Sequence, residues 1–159
     1  MTAASALRSL FENRIFLCTV LSMAIAQVLK LVFYLLNGKN KNKKKLEALE
    51  TVIWRTGGMP SSHSALVCSL ATATGIQEGI SSTYFIISLL FALVVLRDSV
   101  GVRRASGLQA RAINNLGKQF SKFTGQDFHS VKEIHGHTPL EVLVGSCLGI
   151  LIAVIFFIF

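Results

Sequence analysis

Two short polar segments carry residue types suited to phosphate chemistry. The first is GGMPSSHS at 57–64. Pro60 suits the first position of a helix, leaving the N–H groups of Ser61, Ser62 and His63 without intrahelical acceptors at the positive end of the helix dipole. Such a terminus binds anions, the serines add hydroxyls, and Gly57 and Gly58 permit close backbone approach. His63 could donate a proton to whatever is held there. The same residues also describe a plainly capped helix start with a histidine at a membrane surface. The second segment is HGHTPLE at 135–141. Thr138 and Glu141 form a T-x-x-E capping box, with Pro139 at the first helical position. His137 stands just before the cap, where Glu141 can accept its ring N–H. A carboxylate in that role fixes the tautomer and leaves the other ring nitrogen nucleophilic. One histidine beside a carboxylate and one beside an anion cradle suit phosphoryl transfer through a phosphohistidine. A His63, His135 and His137 metal set is a further arrangement, but its spacing matches no common ligand pattern.

The elements that position these segments are apolar. The chain has 159 residues, 52% of them hydrophobic, and a mean hydropathy of +0.57. That composition excludes disorder, and two prolines among so many apolar residues favour long helices over a many-turned β protein. Apolar runs at 15–36, 59–76, 83–100 and 139–159 predict four transmembrane helices, the middle two forming a hairpin across 75–82. The expected fold is therefore all-α, a single membrane domain over 1–159. Cys18, Cys68 and Cys147 lie inside apolar runs without C-x-x-C spacing and read as buried free thiols. Lys30, together with the lysines that follow the first run, argues against a cleaved signal peptide.

The formal net charge is +8, and 13 of the 16 basic residues fall in 37–56 and 97–136. Four crossings place these stretches on one side, and the positive-inside rule makes 37–58 and 101–138 cytoplasmic. The lysine run 39–45 reads as a solvated loop facing lipid headgroups, and a nucleic-acid partner is not expected. Arg97, Arg104, Arg111 and Lys118 recur every seven residues, predicting an interfacial helical extension with one basic face, although Gly101 and Gly107 weigh against one unbroken helix over 98–120. Asp98 and Arg103 fall at the cytoplasmic end of the third run, as a structural pair or as part of the anion site. Lys30 either snorkels to the surface or reaches the anion.

GGMPSSHS, the stretch DSVGVRR at 98–104 and GHTPLEVLVG at 136–145 resemble the divergent branch of the type 2 phosphatidic acid phosphatases, also described as acid phosphatase/vanadium-dependent haloperoxidase-related. Ala26 and Gln27 followed by Lys30, and the stretch 109–115, are similar too. The resemblance runs from about residue 13 to about residue 155. It implies a helical membrane phosphatase that works without a metal or other cofactor. Pro60, Ser61, Ser62 and His63 would correspond to the phosphate-binding motif with its acid histidine. His137 would be the nucleophile and Glu141 its orienting carboxylate. The superfamily's phosphate-binding arginine falls on Val131, with Lys132 one position away, and its first lysine motif is absent. Lys30, Arg103 and Arg104 are the expected substitutes, supported by Asp98, Gly58 and Pro60. The expected reaction is hydrolysis of a lipid phosphate, phosphatidylglycerophosphate- or phosphatidate-like, at the cytoplasmic face of a bacterial inner membrane. The alternative is a phospholipid-binding or transport protein that keeps the anion site without turnover. Membrane lipids are the expected surroundings, and a homo-oligomer that encloses the site is left open.

Overall fold

The computed structural model describes residues 2–36, 58–131, 133 and 137–159. The lysine run 39–45, Gly57, Lys132 and His135 lie outside them. Among the described residues the chain is all helical: α1 (Ala3–Glu12), α2 (Arg14–Leu36), α3 (Ser62–Glu78), α4 (Thr83–Val100), α5 (Val102–Thr124) and α6 (Pro139–Ile158). The short α1, tied by an Arg8–Glu12 ion pair, has no counterpart in the sequence expectation.

Three helical stretches are long and apolar enough to cross a membrane: Arg14–Phe33, Thr83–Thr124 and Pro139–Ile158. Their outward residues are mostly large and apolar, as lipid contact requires. Helix α3 differs in kind. It packs against α2, α4 and α6, and its buried positions are chiefly serine, alanine and threonine. A helix enclosed by three others needs small residues for close approach more than it needs lipid-facing bulk.

Helix direction follows from paired contacts at both ends. Ser61, at the start of α3, meets Glu141, at the start of α6. Cys18, Ala73 and Ala153 form a buried cluster toward the other end, where the Arg14 guanidinium donates to the Phe156 carbonyl at 3.3 Å. Helices α2 and α4 therefore run one way, and α3 and α6 the other. The end of α2, the start of α3, the end of α4 and the start of α6 consequently share one end of the bundle, and the described residues of both polar segments lie there.

The first polar segment starts its helix two residues later than the sequence expectation. Pro60 is not the first helical residue. Ser61 is the N-cap, and its side chain accepts from Ser64 N–H, so α3 begins at Ser62. A serine at the N-cap satisfies an orphan amide that a methionine there would leave bare, and that gain sets the start. Helix α4 ends at Val100, and Gly101 separates it from α5. Cys18 and Cys68 are buried free thiols, whereas Cys147 faces outward from α6.

Candidate functional site

The site is assembled where α3 and α6 begin. The Ser61 N–H donates to the Glu141 backbone carbonyl at 3.1 Å. This contact requires the helices to touch, and glycine makes it possible. A Cβ on Gly145 would strike the Ser61 carbonyl oxygen, and one on Gly149 would strike the Ala65 carbonyl oxygen. The run GSCLG at 145–149 is thus a G-x-x-x-G face seated on the first turns of α3. That motif, readable in the sequence, was not part of the sequence expectation.

Helix α6 opens as predicted. Thr138 is the N-cap, its hydroxyl accepts from Glu141 N–H, and the Glu141 carboxylate accepts from Thr138 N–H at 3.2 Å. The same carboxylate oxygen lies 3.0 Å from His137 Nδ1. An ionised carboxylate only accepts, so the proton sits on Nδ1 and the Nε2 lone pair is left for chemistry. His137 is 5% exposed, which holds this pair in a low-dielectric setting.

Lys30 comes from α2 to the same place. It is 8% exposed and close enough to Glu141 to interact with it electrostatically. Its stem passes beneath Gly58, where a Cβ would stand 3.0 Å from Lys30 Cε, and Gly58 has a φ of +98°. The positive φ favours glycine at 58, and a side chain there would also press on the lysine. Gln27, one turn before Lys30, donates to Ser62 Oγ at 3.2 Å, and its Oε1 is buried without a partner among the described residues. A glutamine inside an apolar span was the signal for this contact. Ser22 adds a hydrogen bond to the Ala65 carbonyl at 3.2 Å.

The structure redistributes the predicted cradle. Ser61 is fully buried, its N–H is given to Glu141, and its hydroxyl is occupied by Ser64. By helix geometry the Ser62 and His63 amides are the first-turn donors that have no intrahelical acceptor. The His63 side chain is exposed on this first turn. Asp98 is half-buried near the end of α4, and Arg104 is exposed on α5, a helix that packs on α4 and not on α6. The structure thus gathers Lys30, Gly58, Ser61, Ser62, His137 and Glu141, while Arg104 stands on a separate element. The Arg103 side chain lies outside the described residues. No group of three His, Cys, Asp or Glu among the described residues is arranged to hold a metal ion.

One polar residue, inside the stretch 109–115, was given no role by the sequence expectation. Asn114 on α5 is buried; it donates to the Val131 carbonyl and to Glu133 Oε1, each at 2.9 Å, and accepts from Val131 N–H at 2.8 Å. Arg111 pairs with Glu133 at 3.2 Å, and the Phe128 ring rests on Gly117. The chain leading from α5 toward His137 is therefore held back along α5. Val131, the position where the resemblance expects an arginine, is in this clamp.

A membrane protein that is all helical among its described residues, with a buried histidine bonded to a half-buried glutamate where two helices begin, is the class these features define. Residues 11–152 match the family model described as Divergent PAP2 family. The chain belongs to that family. It is 39% identical over 116 residues, 66% of this chain and 73% of the relative, to "Uncharacterized membrane protein YuiD" of Bacillus subtilis (strain 168). No solved structure matches the chain.

Proposed function

We propose that the protein is a lipid phosphate phosphatase that uses no metal and works through a phosphohistidine. The observation that carries this reading is the bond of buried His137 to half-buried Glu141, 3.0 Å long, with Lys30 beside it and the α3 start bonded to it through Ser61. The substrate phosphate would sit at the start of α3, its charge countered by Lys30 and helped by the Ser62 hydroxyl. His137 Nε2 would attack phosphorus while the phosphorus–oxygen bond to the leaving group breaks, and His63 would protonate that oxygen. Water would then cleave the phosphorus–nitrogen bond, giving its proton to His63 and releasing inorganic phosphate. Positioning and charge stabilisation dominate catalysis for such reactions.

The four-span arrangement belongs to the same reading. Helix α3 would cross within the shelter of its three neighbours. The basic stretches and both polar segments would then face the cytoplasm. That side favours substrates made there, such as phosphatidylglycerophosphate or phosphatidate.

The purified protein in detergent should release phosphate from a panel of lipid phosphates without added divalent metal. His137→Ala and His63→Ala should abolish release while the helical fold persists. Full activity in His137→Ala would overturn the mechanism. A second reading, lipid-phosphate binding without turnover, draws on Val131, which brings no cation to the site. Tight binding of every lipid phosphate with no release would establish it.

A further inference from the structure

Helix α5 presents three distinct faces, set by the 100° turn per residue of an α-helix. Gly107, Ala110, Asn114 and Gly117 lie on the first, whose first three residues are buried and which meets Val131 and Glu133 at Asn114 and Phe128 at Gly117. The second bears Val102, Ile113, Leu116, Phe120 and Phe123, all exposed, Leu116 at 67% and Phe123 at 96%. The third, roughly opposite the second, bears Arg104, Arg111, Lys118 and Lys122. Between Val102 and Thr124 there is no aspartate or glutamate.

We infer that α5 lies in the surface of a bilayer containing anionic lipid, its apolar face among the acyl chains and its basic face at the headgroup phosphates. Water does not suit a face that brings Ile113, Leu116, Phe120 and Phe123 together within three turns. A second copy of α5 does not suit it either: even with Arg111 paired to Glu133, each helix brings Arg104, Lys118 and Lys122 and would repel the other. An apolar face opposite a Lys/Arg face is what a bilayer interface accommodates. Helix α5 also follows α4, a candidate membrane span, after the single residue Gly101, which delivers it to the bilayer surface. This inference does not require turnover at His137.

The test is amide hydrogen exchange across 102–124 in the full chain. It compares vesicles of phosphatidylcholine alone with vesicles of phosphatidylcholine mixed with phosphatidylglycerol, and α6 serves as the internal reference. Exchange in α5 should slow in the mixed vesicles, and K118Q/K122Q should remove roughly fivefold of that protection for each lysine. F120S/F123S should lose α5 protection in both lipids with α6 unchanged. Equal α5 exchange in the two lipids would overturn the inference. So would protection that follows the protein-to-lipid ratio and ignores phosphatidylglycerol, because that is the signature of contact between copies.

Discussion

The Ser61 N–H and the Glu141 carbonyl are bonded at 3.1 Å, so the starts of two parallel helices form one junction. Everything proposed for the site hangs on it. Ser61 sets where α3 begins and hence which amides point outward. Glu141 sets where α6 begins and orients His137. The bond fixes these two placements relative to each other, and Gly145 lets it form by leaving the Ser61 carbonyl room.

Gly145→Ala should therefore act on site and stability together. The added methyl meets backbone and has no flexible side chain to push aside. Overpacking of this kind costs about 1–3 kcal/mol. Thermal unfolding in detergent should show the loss, and phosphate release should fall with it. Leu148→Ala on the same helix removes volume without wedging the junction, so its effect on release should be smaller.

Ser61→Ala separates a cap from a phosphate ligand. As the N-cap of α3, Ser61 should cost about 1 kcal/mol of stability when its hydroxyl is lost. Its hydroxyl already serves Ser64, so release should stay within about tenfold of the natural protein. A fall of about 10²–10³ with unchanged melting would return Ser61 to direct phosphate binding.

Lys30→Met tests the buried cation. Methionine keeps an apolar stem beneath Gly58 and removes the cost of desolvating a charge. Melting temperature should hold or rise, while kcat/KM should fall by about 10²–10³. A drop in melting temperature with release unaffected would make Lys30 a structural partner of Glu141 and nothing more.

What the sequence revealed and concealed divides by range of interaction. The Thr138–Glu141 box and the His137–Glu141 pair span three and four residues, and such local patterns are legible because helix geometry alone brings their members together. The α3 start was misplaced because MPSS admits two registers. Proline at the first helical turn and serine at the N-cap are both favourable, and the extra bond from Ser64 N–H decides between them. The approach of Lys30 to Gly58 and the clamp on Val131 are tertiary, with no periodicity to betray them. The central place of α3 was hidden for another reason: its small polar residues read as a weak span, although they are what lets three helices close around it.

Asn114 supports a prediction about the segment before His137. Asn114→Ala removes three hydrogen bonds, each worth about 1 kcal/mol. Amide exchange at Val131 should rise by about tenfold or more. Cleavage of 125–131 by a protease should rise with it, while α6 stays protected. Asn114→Asp keeps an acceptor for the Val131 N–H but sets a carboxylate against Glu133, so it should not restore the clamp. Unchanged exchange at Val131 in both variants would show that Phe128 on Gly117 holds the segment unaided.

Glu141→Gln divides the two duties of one carboxylate. Glutamine is equally accepted at the third position of a capping box, so the Thr138 N–H keeps its acceptor and α6 keeps its start. His137 Nδ1–H can still donate to the amide oxygen, but the imidazolium that forms as Nε2 bonds to phosphorus no longer faces a negative charge. An amide can also turn its NH2 toward His137, which favours the opposite tautomer and removes the nucleophile. Melting should change little, and kcat should fall by about 10²–10⁴, the range seen when a histidine loses its orienting carboxylate. Glu141→Ala removes both duties and should add about 1 kcal/mol of lost stability to the same catalytic defect. The informative comparison is between these two variants: a common loss of release with different melting assigns catalysis to the charge and folding to the cap. Full release in Glu141→Gln would mean that His137 needs no carboxylate, and its role as the attacking group would fall.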